Sequence, residues 1–442
     1  MTQSVAPYKR SVGLGLSNVK NKIRFEKWLA VLIAVSPLLT YYDFPFTSIS
    51  LSSIMLFVIS LLSAICAQHR AKKNNTTDKV YIFLAFYNLI YSIIIIILRI
   101  GTADKIYVHF FLLLSLGQII YISRISNSKS FYSSFSKVYL GICFFISIVS
   151  VTEEVIYIAT GSLFPVKLPF LPLNDAYIKW EHRFGFNGRG DFMGFSPFFS
   201  EPAHLAQYFL PAFIILLHRA GSLKKMGGSV IVFLAMCSAI VISTSSFGIA
   251  ATAIVTVVYS LISKSKVAKL LRKIIIIAFL AIIVVVIVDP DGLLGYEFRA
   301  LLEGFSQGND KTTYRLFRGF VYFSQFPAFA KLFGIGYGNF SFFITKYDLK
   351  YEFEITNSSI VTEYLNGISQ ALVYNGIIGL FLLVLFFWFL FRKGNAESKT
   401  LTIGLVLLMA VTATYLRGNS VFYIIIIYML KQQRTPSKKM RA

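Results

Sequence analysis

The chain has 442 residues, of which 56% are hydrophobic and 14% are charged, and its formal net charge is +23. Soluble globular domains contain about 25% charged residues, so the composition excludes a soluble protein and indicates one integral membrane domain over residues 1–442. A nucleic-acid partner is disfavoured as well, because most of the cations lie in alternate connections between apolar segments.

Apolar runs predict an all-α membrane protein with about twelve transmembrane helices. Most runs are long enough to cross a hydrocarbon core of about 30 Å. In chain order, the predicted spans are residues 28–46, 50–68, 80–98, 106–123, 138–158, 204–217, 229–243, 247–263, 274–288, 372–391, 400–416 and 419–430.

The distribution of charge predicts the orientation of these helices. By the positive-inside rule, the side that holds about 29 of the 43 Lys and Arg residues is cytoplasmic, and both termini lie on it. The first span follows a basic tail and shows no cleavage pattern, which is typical of a retained signal anchor. The cysteines, Cys66, Cys143 and Cys237, fall inside predicted spans and indicate neither disulfides nor metal ligation.

Two long connections, residues 159–203 and 289–365, are predicted on the outer, periplasmic side. Both are rich in aromatic residues, which disordered segments lack. We therefore expect them to fold over the membrane surface or to line a cavity. In the second loop, Leu316, Phe320 and Phe323 recur at helical spacing and predict a helix lying along the membrane surface.

These loops carry four arginines that form the strongest candidate binding site. The guanidinium group presents a fixed fork of donors that matches phosphate geometry. Together, the four could hold a pyrophosphate without a metal ion, although each could instead pair with an acidic residue of the same loops. They are Arg183, Arg189, Arg315 and Arg318.

A second candidate lies where the first loop enters a span, in the stretch SPFFSEPAHLAQYFLP (residues 196–211). Glu201 fits a helix cap, with Pro202 in the first helical position. It equally fits a general base or a hydroxyl-binding acceptor that faces a cavity. His204 lies three residues later and can share a face with Glu201.

Glycines mark two further stretches. LFGIGYGNF (332–340) lacks the lysine and hydroxyl of a phosphate loop, so its glycines are expected to let the backbone approach a ligand or another helix. YNGIIG (374–379) supplies small residues for helix packing. The sequence shows no nucleotide loop, zinc-ligand spacing or Ser-His-Asp arrangement, and we expect no metal and no cofactor.

Three stretches carry a family resemblance: FSPFFSEPAHLAQYF in the first loop, RLFRGF with AKLFGIGYGNF in the second, and NGISQALVYNGIIGLFLL after it. Together with the topology, they resemble the O-antigen polymerase (Wzy-type) family of membrane glycosyltransferases. The resemblance implies a protein of the bacterial inner membrane that joins undecaprenyl-pyrophosphate-linked repeat units into surface polysaccharide. Donor glycan, acceptor glycan and membrane lipid are the implied partners; a chain-length regulator and a flippase remain open as further partners.

The resemblance also implies roles for eight residues. Glu201, Arg189 and Arg315 are the expected catalytic residues, and Arg183, Arg318, His204, Asn339 and Asn366 are expected to bind substrate. Eleven residues separate Arg189 from Glu201, more than the family pattern leads us to expect, so the motif arginine is either Arg183 or Arg189.

Two other functions remain as alternatives. O-antigen ligases have a similar architecture, but they usually carry a His–Asn pair where this chain has Leu365 and Asn366, which favours a polymerase. A flippase for lipid-linked oligosaccharides needs polar or charged side chains along the interior of its spans. Here, charged residues are concentrated in the outer loops instead.

Overall fold

The computed structural model describes residues 27–44, 50–67, 76–98, 129–164, 166–173, 185, 193–220, 227–288, 311–337, 339–349, 365–412, 415 and 418–432. Within these residues, 81% are α-helical and no strand is present. The described part of the chain is therefore all-α, as the sequence predicts. The predicted span 106–123 and the candidate residues Arg183 and Arg189 lie outside it.

Fourteen helices form this part of the chain. The first, α1, covers residues 27–35 and continues as a 3-10 turn, Ser36–Leu39. The others are α2 Leu51–Ala67, α3 Thr76–Ile97, α4 Lys129–Thr160, α5 Pro202–Ala220, α6 Gly227–Ile242, α7 Ser246–Ile262, α8 Lys266–Val288, α9 Lys311–Gln325, α10 Ala328–Phe333, α11 Phe340–Lys346, α12 Gly367–Lys393, α13 Ala396–Val411 and α14 Gly418–Gln432.

Eleven of the twelve predicted spans contain a helix over most of their described residues. Within the part of the chain that the structure describes, three helical stretches are long and apolar enough to cross a membrane: Thr76–Ile97, Phe131–Thr160 and Gly367–Lys393. These stretches identify a membrane protein. The full set of twelve spans, and the cytoplasmic placement of both termini, remain predictions.

The first predicted span, residues 28–46, is wrong at its end, because helical structure stops at Leu39. Pro37 has no N–H to donate to the carbonyl of Ile33, and the hydroxyl of Ser36 donates to that carbonyl instead, at 2.9 Å. Beyond the helix, the chain turns toward the first outer loop, where the N–H of Asp43 donates to the carbonyl of Pro172 at 2.9 Å.

Local capping signals fix the starts of several helices. Ser245, Asn366 and Asn395 are the N-caps of α7, α12 and α13, and each side-chain oxygen accepts a backbone N–H three residues later at 2.7–3.0 Å. Such a bond satisfies a donor that the first turn of a helix leaves free.

Helices α5 and α14 form the centre of the bundle. In α14, every residue from Ser420 to Leu430 is buried, and in α5 every residue from Leu205 to Leu217 is buried. A helix that is apolar on all sides belongs inside a bundle. By contrast, α3 and α8 expose large apolar side chains such as Phe83 and Ile277, which suits a surface in contact with lipid.

Candidate functional site

A break in α12 forms the first half of the candidate site. Gly376 has φ 64°, a left-handed conformation that interrupts the helix about 14 Å from its first residue. The break frees carbonyls that a regular helix would satisfy internally. The N–H groups of Ile335 and Gly336 donate to the carbonyls of Val373 and Tyr374, both at 3.0 Å. The second outer loop therefore completes the hydrogen bonding of α12.

Glycine is required on both sides of this contact. Residues 334–337, the glycine loop, approach α12 so closely that a Cβ on Gly334 would lie 2.3 Å from the carbonyl oxygen of Tyr374. A Cβ on Gly376 would lie 2.3 Å from the carbonyl oxygen of Leu332. The expectation that these glycines allow close approach to another helix is thus confirmed.

A polar stripe on α3 holds the glycine loop from the other side. The hydroxyls of Tyr87 and Tyr91 donate to the carbonyls of Phe333 and Gly334 at 3.0 and 2.9 Å. Ser92 accepts the N–H of Tyr337 at 3.0 Å. The loop is therefore clamped between α3 and α12 by backbone and side-chain hydrogen bonds.

The hydroxyl of Tyr415 lies between two buried amides beside the break. Asn88 on α3 and Asn375 on α12 each place Nδ2 3.0 Å from this oxygen. All three residues are buried. The network links α3 and α12 to the connection between α13 and α14, and polar groups buried in this way hold neighbouring helices in one arrangement.

Arg318 lies on the buried face of α9. This face packs against the start of α12. Its side chain is 1% exposed, and its guanidinium carbon is 5.4 Å from the centre of the Tyr322 ring. Next to it, Gly319 packs so closely on α12 that a Cβ would lie 2.4 Å from Ser369. Asn366 caps α12 and donates from Nδ2 to the carbonyl of Leu316 at 2.8 Å.

The helix that was predicted around Arg318 is confirmed as α9, and its faces are now defined. Arg318, Gly319 and Tyr322 face the protein, whereas Phe317 and Phe320 are exposed. That the exposed face lies on the membrane surface stays a prediction. The backbone of Arg315 belongs to α9, but its side chain lies outside the described residues.

The start of α5 forms the second half of the candidate site. The carbonyl of Glu201 accepts the N–H groups of His204 and Leu205, and Pro202 occupies the first helical position, so Glu201 is the N-cap residue. Its carboxylate lies beside the imidazole of His204, with Oε1 3.7 Å from Nε2. Ser200 Oγ is 2.5 Å from His204 Nδ1.

Two neighbouring carboxylates at the end of α4 hold the first outer loop. Glu153 accepts the N–H of Val166 at 2.8 Å. Glu154 accepts the consecutive N–H groups of Met193 and Gly194 at 2.7 and 3.0 Å. Both carboxylates are buried. They therefore fix the two ends of the loop segment in which Arg183 and Arg189 stand.

The connection between α13 and α14 joins the two halves of the site. At one end, the carbonyl of Thr412 accepts the N–H of Gly367 at 2.7 Å. At the other end, Asn419 donates to Gln207 Oε1 of α5 at 2.8 Å. The start of α12 thus contacts the end of α13, and α5 contacts the start of α14.

The structure groups the sequence-predicted residues in two pairs. Asn366 binds the carbonyl of Leu316, two residues before the buried Arg318 in α9, and Glu201 and His204 meet at the start of α5. Asn339 is buried, and its Nδ2 donates to the carbonyl of Ile335 at 3.1 Å. Such a bond steadies the glycine loop.

Sequence reasoning missed several residues of the site: Asn88, Ser200, Asn375 and Tyr415. The polar positions 87, 88, 91 and 92 recur at helical spacing within an otherwise apolar segment, which is the one signal that marks the α3 stripe. No comparable signal marks Tyr415, because its partners stand far away in the sequence.

No protein-family model matches the chain, and no curated protein is significantly similar to it. The fold and the buried polar contacts define a helical membrane protein in which the broken helix α12 contacts the end of α13 and α5 contacts the start of α14. The resemblance to a family rests on the three motifs quoted above.

Proposed function

We propose that this protein is a metal-independent glycosyltransferase of the bacterial inner membrane that polymerises undecaprenyl-pyrophosphate-linked oligosaccharide repeat units. The product is O-antigen or a related surface polysaccharide. The observation that carries the proposal is the burial of Arg318 on the face of α9 that packs against the start of α12, where Asn366 caps the helix. This geometry adds to the three motifs that resemble the polymerase family.

A buried guanidinium suits a pyrophosphate leaving group. Electrostatic attraction is stronger where water is excluded, so a desolvated cation stabilises developing negative charge better than an exposed one. Arg318 is 1% exposed, and Arg315, Arg183 and Arg189 belong to the same two loops. In the proposed reaction, these arginines hold the pyrophosphate of the donor at headgroup level.

The acceptor hydroxyl then attacks the anomeric carbon of the donor from the side of α5. A carbon–oxygen bond forms, the bond to the pyrophosphate oxygen breaks, and the pyrophosphate keeps the electron pair. Glu201 is half-exposed at the start of α5, so it can accept a hydrogen bond from the hydroxyl while His204 stays beside it. The leaving group is already activated, so the reaction requires no nucleotide.

A gene deletion tests this proposal against both alternatives. Cells that lack a polymerase retain surface glycans of a single repeat unit, and gel electrophoresis of those glycans shows the lost ladder. Cells that lack a ligase accumulate polymer on the lipid carrier instead. Repeat units that accumulate at the cytoplasmic face would overturn the proposal in favour of a flippase. Complementation with the intact gene is the control.

A further inference from the structure

The first two turns of α8 carry three lysines on one exposed face. Lys266, Lys269 and Lys273, the lysine row, are spaced three and four residues apart, so they lie on the same side of the helix within about 10 Å of its length. All three side chains are exposed. The row ends where the predicted span 274–288 begins, so its expected depth is that of the lipid headgroups.

The same face of α8 continues as an apolar stripe. Ile277, Leu280 and Val284 follow the lysine row at the same spacing of three and four residues, and their side chains are 67%, 55% and 57% exposed. From Lys273 to Val284 the stripe covers about 17 Å of helix, which is close to half of a hydrocarbon core of about 30 Å. A phospholipid has the same order, with a charged head followed by apolar chains that fill one leaflet.

The lysine row stands in a part of the sequence without acidic residues. No Asp or Glu occurs from residue 202 to residue 288, a range that covers α5 to α8 and so includes α7, which packs against α8. Lys264, just before α8, is a further exposed cation. Like charges three and four residues apart on a helix repel one another, and an anion placed among them removes that repulsion. Charge complementarity therefore favours an anionic ligand.

Hydrogen bonds hold the start of α8 against α7. Ser265 Oγ accepts the N–H of Ala268 at 3.0 Å and lies 2.8 Å from the hydroxyl of Tyr259 at the end of α7. Arg272 lies on a neighbouring face of α8 and donates to the carbonyl of Ser260. The lysine row is therefore carried on a backbone that is already fixed, and a bound ligand has to order only the side chains.

We propose that this face of α8 binds an anionic phospholipid whose phosphate lies among the lysines of the row. An acyl chain of the lipid packs along Ile277 and Leu280. Under the predicted orientation, the lipid belongs to the cytoplasmic leaflet. A headgroup with a net negative charge fits the row better than a zwitterionic one, because the positive group of a zwitterion is repelled by the lysines. This lipid site is separate from the proposed glycosyltransferase site and does not depend on it.

Native mass spectrometry of the full-length protein in detergent tests the site. The Kd of the first bound lipid is measured for phosphatidylglycerol, which is anionic, and for phosphatidylcholine, which is zwitterionic. Each lysine near an anionic headgroup contributes about fivefold in affinity. The triple variant Lys266→Gln, Lys269→Gln and Lys273→Gln should therefore bind phosphatidylglycerol about 100-fold more weakly. The corresponding triple Arg variant keeps the charges and should bind like wild type.

The matched control removes three lysines that each directly precede a predicted span, as Lys273 does, but that belong to three different helices. They are Lys79, Lys137 and Lys399. Their triple Gln variant has the same net charge as the Gln variant of the row, and it should bind phosphatidylglycerol like wild type. Thermal unfolding without added lipid checks that both variants fold. If the Gln variant of the row does not fold, Lys269→Gln alone takes its place, with an expected loss of about fivefold.

Three results would overturn the inference. An equal loss of phosphatidylglycerol binding in the row variant and in the control would show that net charge, and not the row, attracts the lipid. Equally tight binding of phosphatidylcholine and phosphatidylglycerol to wild-type protein would show that the lysines do not select the headgroup. If water-soluble glycerophosphoglycerol binds as tightly as the whole lipid, the ligand is a free phosphodiester and the apolar stripe has no part in binding.

Discussion

Replacing Gly376 by alanine should separate the second outer loop from α12. The added Cβ would lie 2.3 Å from the carbonyl oxygen of Leu332 and 2.6 Å from the nitrogen of Gly334. Both atoms belong to the backbone, so neither can move aside as a flexible side chain would. The residue also has φ 64°, where an L-residue is strained.

The size of the effect follows from what the contact holds. Loss of the bonds from Ile335 and Gly336 to α12 removes two buried hydrogen bonds, and each contributes about 0.5–1.5 kcal/mol. The backbone conformation of Gly376, with φ 64° and ψ −166°, is open almost only to glycine and adds about 1–3 kcal/mol of strain for a residue with a side chain. We therefore expect Gly376→Ala to lower the free energy of unfolding by about 2–6 kcal/mol. Polymerisation should also fall, because the break in α12 is held in place by the glycine loop.

Two other glycines provide matched controls. Gly161 has φ 67° with open space around its Cβ position, so Gly161→Ala measures the effect of a side chain at positive φ without a close contact. Gly141 lies within α4 with open space, so Gly141→Ala should stabilise the helix by about 0.5–1 kcal/mol. Unfolding of the purified proteins in detergent, monitored by the loss of the helical circular dichroism signal, gives the order of their stabilities. If Gly376→Ala is no less stable than Gly161→Ala, the close contact contributes nothing and the reasoning is refuted.

Further predictions concern the arginines, the carboxylates of α4 and the topology. Arg318→Lys should cut polymerisation at least about thirtyfold in the ladder assay at unchanged protein levels. The reason is that loss of a desolvated charge-assisted contact costs about 2–5 kcal/mol, and a point charge does not replace the guanidinium fork. Lys225→Ala is the control, and equal losses of polymerisation in both variants would contradict the claim. Glu154→Gln should increase the rate at which a protease cleaves the first outer loop in limited proteolysis, because an amide cannot accept both N–H groups that the carboxylate binds. An unchanged cleavage rate would argue against the anchoring role of Glu154. Reporter fusions at Lys225 and Asp310 should lie on opposite sides of the membrane, and the same side for both would disprove the predicted topology.

The amino-acid sequence by itself determined the all-α membrane class and most helix positions. Long apolar runs need a continuous helix in lipid, where every backbone group must be satisfied within the chain. That requirement is local, so the apolar runs were enough to predict helices. The predicted end of the first span was wrong because a local signal, Pro37, ends the helix before the apolar run does.

Only the tertiary structure decided how the site is assembled. Tyr415 meets Asn88 and Asn375 across 327 and 40 residues of sequence, and no periodic pattern encodes that meeting. The sequence also did not show that Arg318 points into the protein. An arginine on an amphipathic helix faces water or protein depending on which neighbour packs there. The close packing of Gly319 on Ser369 turns that face of α9 inward. Contacts between distant segments depend on shape and packing in three dimensions, and these are properties of the assembled bundle rather than of any single segment.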